Sequence, residues 1–235
     1  MVKLFTVKET LALEKEADGS GLSYAMMMDN AGKGLAHEIQ NTYSHIHNKS
    51  ILALVGSGNN GGDTLVALGE LAGAGWDTTA YIVKSREPND PLVSQYMQKK
   101  GQVITAEEDH DLNKLGRLLK ASGILVDGIF GTGISLPLRG SAAEILLYSK
   151  SEVEKRSDQI FVVAVDCPSG VDCETGQVAD ETIPADLTVT MAGIKAGLIQ
   201  SPAEKFIGKL RIVSIGPIDQ LKTYKNNCKY VIDSS

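Results

Sequence analysis

The sequence lacks the features that mark membrane, metal-thiolate and nucleic-acid-binding proteins. Its only cysteines, Cys167, Cys173 and Cys228, have no spacing typical of a zinc site or a disulfide framework. It has no apolar run of membrane-spanning length. The formal net charge of −6 is opposite in sign to that of most nucleic-acid-binding domains. We therefore expect neither a membrane nor a nucleic acid as a partner.

Targeting signals are also missing from the start of the chain. The segment 1–5 has no apolar core of a signal peptide, and Glu9 and Glu14 are atypical of a transit peptide. We expect a reduced, cytoplasmic protein. The 235 residues, 43% of them hydrophobic, suit one large globular α/β domain. We expect that domain over 1–235, with N-terminal helices over 1–48 packing on the core and a loosely held tail over 219–235.

Apolar segments with strand character alternate with helical patterns along the chain. A first helix over about 7–17 begins at the capping box Thr6-x-x-Glu9. The strand segments are 50–55, 79–83, 102–105, 123–127, 160–165, 186–191 and 209–215. This alternation predicts a mostly parallel sheet with helices on both faces.

A glycine-rich turn follows the first of these strands. The spacing Gly56-x-Gly58-x-x-Gly61 lies between the apolar run 51–55 and a helical pattern, the setting in which backbone N–H groups bind a phosphate. A tight turn without a ligand is the alternative. A standard NAD-dependent dehydrogenase would also carry an acid at the end of the second strand. Here Lys84 and Arg86 follow that strand, as partners of a 2′-phosphate or as solvated surface charges.

Two further polar clusters, 127–133 and 166–170, follow other strands. Because ligands bind beyond the carboxyl ends of parallel strands, we expect the three clusters to meet at one edge of the sheet. Asp166 is the best candidate for a general acid or base, with a role in capping the turn as the alternative. Lys195 also follows a strand, and we interpret it as a surface lysine more readily than as a contact of an anionic ligand.

Hard oxygen donors recur in these clusters. Asn60, Asp127 and Ser169, together with loop carbonyls, are suited to a cation such as potassium, sodium or magnesium. No cluster of histidine and cysteine indicates a zinc site.

Three ordered motifs together resemble the NAD(P)H-hydrate epimerase family, also called the YjeF N-terminal domain. They are Gly58–Asp63, Val126–Gly133 and Val165–Gly170, and the weaker matches are Met28–Gly32 and Ala185–Thr190. The resemblance runs from about residue 8 to about residue 218. It implies a three-layer α/β/α Rossmann-like fold and an isomerase that interconverts the R and S epimers of hydrated NADH and NADPH.

The resemblance also implies roles for particular residues. Asp166 would be catalytic, and Asn60, Asp127 and Ser169 would bind one monovalent cation, potassium, per subunit. The substrate contacts would be Asn59, Asn60, Gly61, Gly62, Asp63, Gly131, Thr132, Gly133, Ile134, Ser135, Leu136, Pro137 and Asp166. A separate NAD(P)H-hydrate dehydratase would be the pathway partner, and the oligomeric state stays open between a monomer and a homodimer.

Two positions depart from the family pattern. Thr64 stands where we expect glycine, and it would narrow the entrance to the site, while Cys167 stands where we expect an aliphatic residue. An NADP-dependent Rossmann oxidoreductase and a non-catalytic nucleotide-binding scaffold are the alternative functions. The missing acid after the second strand disfavours the first, and the retained polar residues of the clusters disfavour the second.

Overall fold

The computed structural model describes residues 2–231; Met1 and residues 232–235 lie outside the described residues. The strands are β1 (Val2–Phe5), β2 (Ser50–Val55), β3 (Asp77–Ile82), β4 (Gln102–Thr105), β5 (Ile124–Gly128), β6 (Phe161–Val165), β7 (Leu187–Met191), β8 (Ile194–Lys195), β9 (Lys209–Val213) and β10 (Tyr230–Val231). The α-helices are α1 (Val7–Gly19), α2 (Tyr24–Tyr43), α3 (Asn59–Gly73), α4 (Pro91–Gln98), α5 (Asn113–Ala121), α6 (Ser141–Glu154) and α7 (Lys222–Asn226). No helix within 2–231 is both long enough and apolar enough to cross a bilayer.

Seven strands form one parallel sheet in the order β4-β3-β2-β5-β6-β7-β9. Successive side chains along a strand enter two different hydrophobic clusters on opposite faces of the sheet, as β2 illustrates. Ile51, Ala53 and Val55 pack with helices α1 to α4, whereas Leu52 and Leu54 pack with α5 and α6. Each fully buried aliphatic side chain contributes about 1.5–3 kcal/mol. The expected three-layer α/β/α fold is confirmed.

The strand order reverses direction beside β2. The chain runs from β2 outward to β3 and β4, then returns to the other side of β2 as β5. The boundary between β2 and β5 is therefore the topological switch point, where ligands bind in open α/β sheets. The loops that follow β2 and β5 are the ones whose glycines and acids the sequence analysis identified.

A second, three-stranded sheet in the order β10-β1-β8 joins the two ends of the described chain. The Asn227 side-chain nitrogen donates to the Leu4 carbonyl oxygen at 2.9 Å, and Lys3 Nζ donates to the Asn227 carbonyl at 2.5 Å. Residues 227–231 are thus held against β1, and the N–H groups of Lys222 and Thr223 donate to Glu16 of α1, unlike the loose tail we expected there. Strands of two to four residues carry too little periodicity to be recognised in a sequence. The rest of that expected tail, 232–235, lies outside the described residues.

Candidate active site

The glycine-rich loop leads directly from β2 into α3. Gly58 is the N-cap of α3, so residues 59–63 form its first turns. Free N–H groups and the positive end of the helix dipole make such a terminus suited to an anion. A Cβ at Gly56 would collide with the Ile129 carbonyl oxygen, and one at Gly61 with the Gly56 carbonyl oxygen. The close approach of these backbones therefore requires glycine at both positions.

Arg86 holds this loop from the side. Its Nη1 donates to the carbonyl oxygens of Gly56 at 2.6 Å and Gly58 at 3.3 Å, while its Nε pairs with Asp90 at 2.7 Å. The side chain is only 10% exposed. Of the two roles we considered for Arg86, a solvated surface charge is therefore wrong. Its Nη1 hydrogen bonds stabilise the glycine-rich loop between β2 and α3.

Asn60, Asp127 and Ser169 form one hydrogen-bonded network around the backbone of Phe130. Asn60 Nδ2 donates to the Phe130 carbonyl oxygen at 2.8 Å, and the Phe130 N–H donates to Ser169 Oγ at 2.9 Å. Ser169 donates to the Asp127 carboxylate through its hydroxyl at 2.6 Å and its backbone N–H at 2.7 Å. The fold thus brings together the three residues we expected to bind a cation.

Asp127 is fully buried within this network. Burial raises its pKa, and the hydrogen bonds from Ser169 act in the opposite direction. In the described part of the chain, no lysine or arginine forms a salt bridge with it. A buried carboxylate without a positive partner is costly. A hard cation held by carboxylate, amide and hydroxyl oxygens would compensate that charge, so these residues fit such an ion.

Asp166 occupies a strained turn at the end of β6. Its φ angle is 64°, in the left-handed region that non-glycine residues seldom adopt. The Cys167 N–H donates to the Val165 carbonyl oxygen at 2.7 Å, which closes a γ-turn around Asp166. Backbone strain of this kind clusters at functional sites because the surrounding structure must be built to maintain it.

The carboxylate of Asp166 is paired with a buried lysine. Lys195 Nζ binds Asp166 Oδ1, and also donates to the Met191 carbonyl oxygen at 2.9 Å and to Thr190 Oγ1 at 3.1 Å. Lys195 is 1% exposed, so our interpretation of it as a surface lysine is wrong. Burial disfavours its charge, but the Asp166 carboxylate outweighs this and raises the pKa of Lys195 above its usual value.

The two oxygens of Asp166 differ in their surroundings. Oδ1 also accepts from the Met191 N–H at 3.0 Å and from Thr190 Oγ1 at 3.1 Å. Within residues 2–231, no hydrogen bond reaches Oδ2. The side chain is 14% exposed. One carboxylate oxygen is therefore anchored, and the other is available to a ligand.

A cavity of about 320 Å³ lies near this pair, because its wall includes Met191, which is hydrogen-bonded to both Asp166 and Lys195. Asn59 and Asp63 line it from α3, and Glu14 lines it from α1. Burial raises the pKa of Glu14, and raises that of Asp63 well above its usual value. The sequence offered no signal for Glu14, since only the packing of α1 brings it to the cavity.

The loop after β5 lines a second cavity of about 460 Å³, which includes residues 133–137. Gly131 lies against Asn60, since a Cβ there would contact the Asn60 side chain at 3.6 Å. Of the expected substrate residues, Asn59 and Asp63 therefore line the first cavity and residues 133–137 line the second. The others line neither of these two cavities: Asn60, Gly61, Gly62, Gly131, Thr132 and Asp166.

The two departures from the family pattern lie below the surface of the site. Thr64 is fully buried, and its hydroxyl donates to the Asn60 carbonyl oxygen at 2.7 Å. Our expectation that Thr64 narrows the entrance is therefore wrong. Cys167 is 1% exposed, and its side chain fills space beneath Asp166.

Comparisons with known proteins show the family to which the chain belongs. Residues 24–197 match the family model described as "YjeF-related protein N-terminus". The chain is 35% identical over 195 residues to an NAD(P)H-hydrate epimerase of Clavibacter sepedonicus, with 82% of each chain covered. It is 30% identical to a bifunctional NAD(P)H-hydrate repair enzyme Nnr of Thermofilum pendens, covering 90% of this chain and 40% of that protein. The crystal structure of the yeast protein ynu0, YNL200c, shares the fold, with a TM-score of 0.73 at 23% identity over 91% of this chain and 88% of that one. The chain therefore belongs to the family of YjeF-related protein N-termini.

Proposed function

We propose that this chain is an NAD(P)H-hydrate epimerase that interconverts the R and S epimers of hydrated NADH and NADPH. Its family and the activity named for its relatives support this function. The observation that carries it is the placement of Asp166. Its carboxylate lies on a strained turn, is anchored through one oxygen, and lies near a cavity at the N-terminus of α3.

The two cavities suit the two ends of a dinucleotide. The N-terminus of α3 contributes Asn59 to the first cavity, and its Asn60 is bonded to Phe130, which lines the second. Its free N–H groups bind the pyrophosphate. The hydrated nicotinamide occupies the cavity beside Asp166, whose wall is largely apolar. The loop 131–137 binds the remainder of the nucleotide, in keeping with the cavity that its residues line.

Potassium is the cation we propose for Asn60, Asp127 and Ser169. The support is the buried Asp127 carboxylate without a positive partner and the oxygen donors gathered around it. When bound, the ion supplies a positive charge that neutralises Asp127 and stabilises the loops after β2, β5 and β6.

The chemistry requires proton transfer at a single carbon. The hydrated ring carries a hydroxyl group on a carbon bonded to the ring nitrogen, whose lone pair expels the hydroxyl and leaves a planar iminium carbon. Water then adds to either face, which inverts the centre. Asp166 accepts the proton of the attacking water through its available oxygen. Lys195 and the Met191 N–H bind the other carboxylate oxygen and fix the orientation of the side chain.

One experiment tests the function directly. Purified protein is mixed with a single epimer of NADPH-hydrate, and the appearance of the other epimer is followed by chromatography. We expect interconversion much faster than in buffer alone. An unchanged rate with folded wild-type protein would refute the function. An NAD(P)H-hydrate dehydratase is the pathway partner we propose, since relatives such as the one from Thermofilum pendens are named bifunctional NAD(P)H-hydrate repair enzymes.

A further inference from the structure

Two carboxyl groups line the cavity beside β7, Glu14 from α1 and Asp63 from α3. The ion pair of Asp166, from the turn after β6, with Lys195 of β8 lies near them, and Lys195 is the one cation of residues 2–231 that affects the Asp63 carboxyl group electrostatically. These four groups are close enough to affect one another electrostatically. Much of the remaining wall is apolar, with Met27, Met28, Met191 and Ile215.

The carboxyl groups of Asp63 and Asp166 have opposite environments. Asp166 receives the lysine and two further donors on one oxygen. Asp63, in contrast, has no hydrogen bond or salt bridge to its carboxyl group from any residue in 2–231. An ionised carboxylate without a partner in a largely apolar wall is costly. Burial raises the pKa of Asp63 well above its usual value, and the nearby Asp166 and Glu14 carboxylates raise it further.

Glu14 adds a further carboxyl group to the cavity and no hydrogen-bond donor or positive charge for Asp63. No side chain in the described part of the chain donates a hydrogen bond to it, and burial raises its pKa as well. The single ammonium group of Lys195 is directly bonded to Asp166. Lys195 is therefore not available to Asp63, whose carboxyl group has no bonded partner within residues 2–231.

We propose that Asp63 is a second catalytic residue: a neutral carboxylic acid that protonates the departing hydroxyl group while Asp166 serves as the base. The proposal rests on the epimerase function proposed above. Two carboxyl groups whose environments differ in this way divide the acid and base roles in many enzymes.

Loss of the hydroxyl group and return of water require one proton donor and one proton acceptor. The carbon–oxygen bond of the hydrated ring breaks with both electrons on oxygen, and the Asp63 proton converts that oxygen to water. The ring nitrogen lone pair forms the iminium double bond. A second water molecule attacks the opposite face, and its proton passes to Asp166. Each inversion thus moves one proton from Asp63 to Asp166, and the reverse reaction or exchange with solvent restores the starting state.

The first test measures protonation without any substrate. Aspartate carboxyl groups labelled with ¹³C are observed by NMR at neutral pH in potassium buffer. We expect a protonated carboxyl signal in the wild type that disappears in Asp63→Asn. The matched control is Asp77→Asn, since Asp77 is exposed at the start of β3. That variant should keep the signal. If Asp63 is ionised at neutral pH in the wild type, the proposal is wrong.

The second test separates this role from the function itself. Asp63→Asn should lower kcat on the order of 10²–10⁴-fold, the usual cost of losing a general acid, with KM changed only a few-fold. Asp63→Glu, which restores a carboxylic acid, should recover part of kcat, and Asp77→Asn should match the wild type. A wild-type kcat in Asp63→Asn overturns the acid role and leaves the epimerase standing. Absence of interconversion by the wild type overturns the function, and the catalytic role of Asp63 with it.

Discussion

Asn60 and Ser169 bind opposite ends of the same residue, Phe130. The Asn60 side chain donates to its carbonyl oxygen at 2.8 Å, and its N–H donates to Ser169 Oγ at 2.9 Å. Loops from three distant parts of the sequence are thereby joined at the switch point of the sheet. This network holds the buried Asp127 carboxylate among oxygen donors, where a cation would neutralise it.

Removing the charge of Asp166 should stop proton transfer while preserving the shape of the site. Asp166→Asn should lower the epimerisation rate on the order of 10²–10⁴-fold. Chromatography of a single NADPH-hydrate epimer measures the rate, and calorimetric titration with NADP⁺ measures nucleotide binding, which should change little. A rate close to that of the wild type would remove Asp166 from the mechanism.

Lys195 should be important for stability as well as activity. Lys195→Met leaves the Asp166 carboxylate without its cation and should lower the free energy of unfolding by about 3–5 kcal/mol. The double variant Lys195→Met/Asp166→Leu should recover part of this loss, because neither charge is then left unpaired. Lys99→Met is the control, since its pair with Glu70 is exposed and should contribute at most about 1 kcal/mol. Urea unfolding measures the free energy of unfolding of each variant. Equal losses in Lys195→Met and Lys99→Met would contradict a stabilising role for the buried pair.

Potassium should stabilise the folded protein through Asp127. At a concentration about 100 times the Kd, a bound ion adds about 2.7 kcal/mol to the free energy of unfolding. Thermal unfolding in potassium chloride is compared with tetramethylammonium chloride at equal ionic strength. The wild type and Asp77→Asn should respond alike, and Asp127→Asn should lose the response. An equal response in Asp127→Asn would place the ion elsewhere.

The stability of the protein should depend on pH through Asp63. Burial raises the pKa of Asp63 in the folded protein above its value in the unfolded chain, near 3.8. The stability that protonated Asp63 contributes is therefore complete below the unfolded-state pKa and is lost as the pH rises toward the folded-state pKa. Asparagine does not titrate. The stability of Asp63→Asn relative to the wild type should therefore increase as the pH rises through this range, as urea unfolding at several pH values would measure. A difference that is constant or decreases with pH would contradict the raised pKa.

The strands of the large sheet and the motifs after them were predictable because their signals are local. Continuous apolar runs such as 51–55 and 161–165 are typical of doubly buried parallel strands, and the structure confirms both. The glycine spacing predicted the turn into α3 for the same reason. Since parallel strands share a carboxyl edge, the meeting of Asn60, Asp127 and Ser169 could also be inferred.

The sequence by itself therefore determined the α/β architecture, the parallel strands and the polar loops at their carboxyl ends. Only the tertiary structure decided that Lys195 is a buried partner of Asp166, that Glu14 and Asp63 share a cavity, and that residues 227–231 are held against β1. Each of these depends on burial created by elements distant in the chain. A lysine or glutamate has the same local pattern whether its neighbours in space are water or protein, so the sequence pattern cannot distinguish the two.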